Sequence, residues 1–215
     1  LDARTREYKK TFQLVDILRP EDAQILLGGA KGCNKSTFAM QWGMSIACNM
    51  PKFLDFNINR TGKSVLFVDT EIGENLILER RDMMTQNFPD WGRDADQRFN
   101  IICLDSSSTD ETDIFKSIED AIKLYRPDVV FVDCLYNIAE GVDISKNYVI
   151  GKITSIVTKL KYKYHLTTVV IAHFTKGNGD MGLVSERIAG GSHLQNWAEH
   201  IILLTESGLE ENLRL

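Results

Sequence analysis

The sequence predicts an α/β fold in which a mostly parallel central sheet is flanked by helices on both faces. Short apolar runs of strand length alternate with longer helical patterns, and the short runs are apolar at almost every position. Strands that are apolar on both faces are typical of parallel sheets covered by helices. The predicted strands are residues 24–27, 64–69, 99–104, 128–133, 167–173 and 200–204, and the predicted helices are residues 36–48, 75–86, 112–125 and 149–164.

A phosphate-binding loop follows the first predicted strand. The pattern G-x-x-x-x-G-K-[ST] is met by Gly29, Lys35 and Ser36, and Asn34 replaces its second glycine. Backbone N–H groups of such a loop surround phosphate at a helix N-terminus, the lysine reaches the β- and γ-phosphates, and the hydroxyl ligates Mg²⁺. The predicted nucleotide-binding residues are Gly29, Ala30, Lys31, Gly32, Cys33, Asn34, Lys35, Ser36 and Thr37.

The sequence on both sides of this loop supports the motif. An apolar run enters it, with Gly28 and Gly29 predicted to form a tight turn, and Phe38, Trp42 and Ile46 recur at helical spacing after it. Asparagine is among the least penalised replacements for glycine at positive φ. We therefore expect Asn34 to affect the rate of turnover more than the binding of a nucleotide.

The second predicted strand ends in Asp69, Thr70 and Glu71. Residues two apart in a strand share a face, so either acid is a candidate for the cleft at the sheet edge. Hydrolysis of a γ-phosphate needs a group that polarises the attacking water, and Glu71 is the predicted general base. The alternative is that these residues cap and begin the next helix, and one acid could serve each purpose.

Two further strands end in polar residues. Asp133 closes the run at 128–133, where its carboxylate could orient a Mg²⁺-bound water beside the phosphates, although an aspartate can also simply cap a turn. His173 closes the run at 167–173 and is a candidate γ-phosphate sensor, followed by Lys176 at the start of a glycine-rich segment. The polar stretches 137–147 and 176–191 follow these strands and look least like packed structure. Loops at the carboxyl ends of strands carry the chemistry in α/β sheets.

Composition narrows the class of protein. The chain has 215 residues, 43% hydrophobic content and a formal charge of −5, which fits one domain over 1–215 and argues against broad binding of duplex DNA. We expect residues 1–20 to be an N-terminal extension of this domain and the C-terminal end of the sequence to be truncated. The four cysteines form no C-x-x-C pair, so we expect core or near-core thiols in a reducing compartment, and neither a disulfide framework nor a zinc site. With neither an apolar span nor a signal peptide, the predicted location is the cytoplasm, without a membrane partner.

The order of these motifs resembles that of the RecA-like P-loop ATPases of the RepA hexameric helicase type, within the AAA ATPases. The resemblance extends over roughly residues 10–205 and lies more in the order of the elements than in any one of them. Its elements are 29–37, 52–56 leading to 65–71, 130–133, 173–176 and 191–194.

The resemblance implies roles for individual residues. Lys35 would bind the β- and γ-phosphates of ATP, Ser36 and Asp133 would hold Mg²⁺, Glu71 would activate water and His173 would sense the γ-phosphate. It also implies a homo-oligomer, typically a ring of six, that acts on single-stranded DNA and takes a basic residue from the neighbouring subunit. Candidate DNA-contacting residues are Lys146, Lys176 and Arg187, and candidate basic fingers are Arg187 and Arg214.

The sequence departs from the family pattern at Gly190, where the family often has arginine. Two alternatives to a helicase stay open, one within the same fold and one suggested by Asn34. One is a recombinase or annealing ATPase that forms filaments on DNA, and the other is a regulatory nucleotide-binding module with weak hydrolysis.

Overall fold

The computed structural model describes residues 23–58, 62–104, 111–138, 147–173 and 191–205. It confirms the α/β fold. The strands are β1 (Gln24–Gly29), β2 (Lys52–Phe53), β3 (Phe56–Asn57), β4 (Val65–Asp69), β5 (Phe99–Cys103), β6 (Val129–Asp133), β7 (Thr167–His173) and β8 (His200–Leu204). The helices are α1 (Lys35–Ala47), α2 (Glu74–Thr85), α3 (Arg93–Arg98), α4 (Glu111–Tyr125), α5 (Leu135–Ile138), α6 (Asn147–Tyr164) and α7 (Gly191–Trp197).

Six strands form the central sheet, in the order β5-β4-β6-β7-β1-β8, and every neighbouring pair is parallel. β2 and β3 form a separate antiparallel hairpin. All six predicted strands and all four predicted helices are present, with ends that shift by one or two residues. Parallel neighbours need crossover connections, which the helices between the strands provide.

The sheet separates two hydrophobic cores, because successive residues of each strand point to opposite faces. In β6, Phe131 joins the core beneath α1 and packs against Trp42, with ring centroids 5.4 Å apart. Its neighbours Val130 and Val132 join the second core, with α4 and α6. Apolar residues on both faces of the strands thus reflect helices on both sides, as predicted.

The structure corrects two local predictions. Gly28 and Gly29 are the last residues of β1 and pair with both β7 and β8, so they belong to the strand and not to a turn. The described ends of the stretch 137–147, which was expected to be irregular, are helical, because Asn137 and Ile138 end α5 and Asn147 begins α6. The short elements β2, β3, α3, α5 and α7 were not predicted, since two to seven residues give little periodicity to detect.

All four cysteines lie in the described part of the chain, where they are thiols outside any disulfide. Across the described residues, none of the helices has the length and apolar character needed to span a bilayer.

The register of the parallel strands brings the candidate site residues to one edge of the central sheet. Asp69 is the direct partner of Asp133 across β4 and β6, and Gly29 is the partner of His173 across β1 and β7. Because the strands are parallel, their carboxyl ends meet at the same edge of the sheet.

Candidate active site

The phosphate loop connects β1 to α1 and contains two residues at positive φ. Gly32 has φ of 87°, and Asn34 has φ of 59° and ψ of 30°, which is the left-handed region. Asparagine tolerates this region better than other residues with a side chain. Asn34 also starts α1, since its carbonyl accepts the Phe38 N–H at 2.9 Å. The exception in the motif therefore falls at a position whose conformation asparagine can adopt.

Gly29 is fixed by close packing at the start of the loop. A Cβ atom on this residue would lie 2.6 Å from Cys33 Sγ and 2.7 Å from the backbone oxygen of Leu204. Distances below 3.0 Å require a neighbour to move, and a carbonyl of the adjacent strand β8 is not easily displaced. Glycine is therefore required at Gly29 for a steric reason.

Lys35 directs its ammonium group back over the loop. Its side chain is buried, and Nζ donates to the Ala30 carbonyl at 2.7 Å and lies 3.9 Å from Cys33 Sγ. Lys31 and Gly32 of the same loop are exposed. The charge of Lys35 thus sits where backbone N–H groups at the start of α1 would meet an anion.

Asp133 is the buried carboxylate of the site. Burial, together with the charges of Glu71 and Asp69, raises its pKa to about 6, and the Ser36 hydroxyl and the charge of Arg80 limit the rise. Its Oδ1 atom is buried without a hydrogen-bond partner among the described residues. An unsatisfied carboxylate oxygen beside a hydroxyl is the donor set that Mg²⁺ prefers, so Ser36 and Asp133 fit the predicted metal.

Asp69 and Glu71 have different positions at the end of β4. The Asp69 carboxylate is buried and accepts the N–H groups of Gly73 at 2.8 Å and of Glu71 and Ile72 at 3.4 Å. The expectation that both acids share a strand face is wrong, because the strand ends at Asp69 and Glu71 lies in the turn beyond it. Asp69 orders this turn before α2, and Glu71 is left to face the cleft.

The side chains of Glu71 and His173 approach each other at the carboxyl end of β6, the strand between β4 and β7. His173 Nε2 lies 3.9 Å from Glu71 Oε2, and the two side chains are 29% and 35% exposed. Burial and the charge of Lys35 lower the pKa of His173, and Glu71 partly opposes this. A lowered pKa keeps the imidazole neutral at pH 7, so it can donate one hydrogen bond and accept another.

Three residues near the site were missed by the sequence analysis. The Thr70 hydroxyl donates to the carbonyls of Asp133 and Cys134 at 3.2 and 3.0 Å and accepts the Cys134 N–H at 3.0 Å, while Asn137 Nδ2 donates to the Thr70 carbonyl at 2.8 Å. Arg80 of α2 supplies a positive charge that acts on Asp133. Contacts of side chains with distant backbone leave no periodic trace in a sequence, although Thr70 does adjoin the acids that were singled out.

The described residues thus place Lys35, Ser36, Glu71, Asp133 and His173 near one another. Lys146, Lys176, Arg187 and Arg214, the predicted DNA-contacting and finger residues, lie outside the described residues.

A family model described as an AAA domain (AAA_25) matches residues 3–179 of the 215. The match includes the phosphate loop and the ends of β4, β6 and β7. No curated protein matches the chain.

Proposed function

Because this chain belongs to the AAA domain family and is a nucleotide-binding ATPase, we propose that it is a RecA-like motor that hydrolyses ATP and acts on single-stranded DNA. Within that class, we propose a helicase or helicase-like ATPase of the RepA type.

The observation that supports hydrolysis is the position of Glu71. Its carboxylate lies beside His173 and next to the strand that ends in Asp133, and the charge of Lys35 acts on His173. A carboxylate at the open edge of the cleft can take a proton from a water that attacks the terminal phosphate. Glu71 is 35% exposed, so water can reach it.

The other side chains would bind and stabilise the nucleotide. The N–H groups of the loop and the Lys35 ammonium would contact the β- and γ-phosphates. Ser36 and Asp133 would hold the Mg²⁺ that accompanies ATP, which would neutralise charge on the phosphate oxygens. A neutral His173 would donate a hydrogen bond to a γ-phosphate oxygen and so respond to its loss.

The proposed DNA contact follows from where the candidate loops attach. Lys146 lies in the segment after β6, and Lys176 and Arg187 lie in the segment after β7. Both segments therefore follow strands whose last residues, Asp133 and His173, belong to the proposed nucleotide site. A few cations per subunit, repeated around a ring, are enough for binding of single strands without sequence preference.

The proposed ring assembly rests on the open side of the site. Glu71 and His173 are both partly exposed, which leaves access for a basic side chain of a neighbouring subunit. Arg187 and Arg214 are the candidates for that side chain in trans. We propose six subunits, with ATP between them.

The decisive experiment measures ATP hydrolysis with and without single-stranded DNA, together with the mass of the assembly. Stimulation by DNA and a closed hexamer are expected. Open filaments on DNA would instead indicate a recombinase. Nucleotide binding without hydrolysis in either condition would reject the motor and favour a regulatory module.

Replacing Glu71 tests its role as the base. Glu71→Gln should keep ATP binding but reduce hydrolysis by about 100-fold or more, because general-base catalysis is typically worth 10²–10⁴-fold. Glu74→Gln is the matched control, since Glu74 is an exposed acid three residues on, at the start of α2. Equal rates for the two variants would contradict the assignment.

A further inference from the structure

Three different metal-binding side chains converge next to the nucleotide cleft. One ligand atom each from Glu71, Cys134 and His173 lies within 4.8 Å of the other two. They follow or close the strands β4, β6 and β7, which are neighbours in the sheet. The cluster thus combines an oxygen, a sulfur and a nitrogen ligand on a rigid part of the fold.

We propose that Glu71, Cys134 and His173 form a binding site for a zinc-type divalent cation, whose occupation blocks ATP hydrolysis. The binding site stands independently of the proposed function, whereas the block rests on it.

The geometry suits a tetrahedral cation. With metal–ligand bonds of about 2.0–2.3 Å, the ligand atoms of a tetrahedral site are about 3.5 Å apart. Glu71 and His173 already approach to 3.9 Å. Glu71 lies in a turn with its side chain partly exposed, so it can close the remaining distance by rotation. Three protein ligands leave a fourth position for water or a phosphate oxygen.

The chemistry of the ligands selects the metal. Mg²⁺ prefers hard oxygen ligands, whereas thiolate and imidazole favour zinc and other transition metals. Cys134 is buried while Glu71 and His173 are partly exposed, so an ion entering from the cleft would meet the thiol at its base. Binding would release the thiol proton to solvent and leave the thiolate on the metal.

A cation bound at this site would prevent Glu71 and His173 from taking part in ATP hydrolysis. A Glu71 carboxylate bound to a cation cannot accept a proton from water, and a His173 nitrogen bound to it cannot contact phosphate. Inhibition should therefore persist in excess Mg²⁺, which does not compete well for thiolate.

The test uses the whole chain in reduced form, without nucleotide. Zn²⁺ is titrated against a chromophoric chelator, and Co²⁺ binding is followed by the absorption bands of cobalt–thiolate and tetrahedral coordination. We expect one ion per chain, with thiolate coordination. Cys134→Ser should weaken Zn²⁺ binding by at least about 100-fold and abolish the thiolate band, since even supporting residues of metal sites are worth 10–100-fold.

Cys103→Ser is the matched control. Cys103 is a half-buried thiol at the end of β5, three strands away from β7 in the sheet. It should bind Zn²⁺ like the wild type. Failure of the wild type to bind, or equal binding by Cys134→Ser, would overturn the proposed site. If Cys134→Ser fails to fold, His173→Gln gives the same test through the nitrogen ligand.

The inhibition is read separately, with each variant compared with its own zinc-free rate. Zn²⁺ should inhibit the wild type and Cys103→Ser but not Cys134→Ser. Zinc binding with thiolate coordination in a chain that never hydrolyses ATP would retain the site and reject the proposed function. Zinc binding without inhibition of an active ATPase would retain the site and reject the block.

Discussion

Asn34 shows how one residue can break a motif and preserve its shape. The motif needs a backbone conformation rather than a particular side chain at this position, and Asn34 adopts it with φ of 59°. Side chains that are branched at Cβ pay about 1–2 kcal/mol in the left-handed region, whereas glycine pays nothing there. The position therefore discriminates between residues by backbone conformation.

The backbone conformation of Asn34 predicts the stability of two variants. The free energy of unfolding of Asn34→Gly should lie within about 0.5 kcal/mol of the wild-type value, and that of Asn34→Val should be lower by about 1–2 kcal/mol. Urea denaturation measures both. Turnover by Asn34→Gly should equal or exceed that of the wild type. A loss of nucleotide binding in Asn34→Gly would instead show that the asparagine side chain itself contacts the ligand.

Ionisation of the buried Asp133 carboxyl lowers the stability of the folded protein. Its pKa is raised from 3.8 to about 6, so its contribution to stability is complete below about pH 4 and is lost as pH rises through about 6. Without nucleotide or Mg²⁺, Asp133→Asn should be more stable than the wild type by about 2–3 kcal/mol at pH 8 and by about half of that at pH 5. Urea denaturation at the two pH values measures the difference.

The same substitution should abolish ATP hydrolysis, because it removes a carboxylate that fits Mg²⁺. In the wild type, kcat/KM for ATP should fall as pH drops below about 6, where Asp133 becomes protonated in the free enzyme. An Asp133→Asn protein that is no more stable at pH 8 than at pH 5, relative to the wild type, would show that burial of the charge is not the cause.

Thr70 connects the end of β4 to the end of β6 through side-chain hydrogen bonds. Its hydroxyl joins β4 to the residues at the end of β6, and its carbonyl accepts from Asn137 in α5. Glu71 is the next residue in the chain. The hydrogen bonds of one buried threonine thus position the candidate base relative to Asp133.

Thr70→Val should therefore destabilise the protein by about 1–3 kcal/mol, because the buried Cys134 N–H loses its acceptor. Thr168→Val is a control of the same chemistry. The Thr168 hydroxyl is buried in β7 without a hydrogen-bond partner among the described residues, so its loss should be neutral or stabilising. Thermal unfolding compares them, and a similar loss in both would argue against the role of Thr70.

On the scale of the whole molecule, nucleotide binding and folding are coupled. A ligand present at 100 times its Kd adds about 2.7 kcal/mol, which corresponds to roughly 5–10 °C in Tm for a chain of this size. A non-hydrolysable ATP analogue with Mg²⁺ should give such a shift in the wild type. Lys35→Ala should show almost none, and Lys52→Ala, an exposed lysine in β2, should behave like the wild type.

Much of this architecture could be predicted from the sequence, because buried strands and the phosphate loop have strong local signals. The apolar runs predicted the six strands, and the polar residues at or just beyond the strand ends made Glu71, Asp133 and His173 candidates for the site. What escaped prediction depends on contacts between distant segments. The pairing of Gly28 and Gly29 with β8 and the hydrogen bonds of Thr70 are set by the assembled sheet, so no local pattern encodes them.

The contact between Gly29 and Leu204 has a mechanical consequence. β8 pairs with β1 over five residues, and its last carbonyl packs against the first residue of the phosphate loop. A force applied to the chain after β8 would act in shear on the β1–β8 pairing and would be transmitted to the phosphate loop. The same strand pair therefore connects the chain after β8 to the loop that would bind the nucleotide.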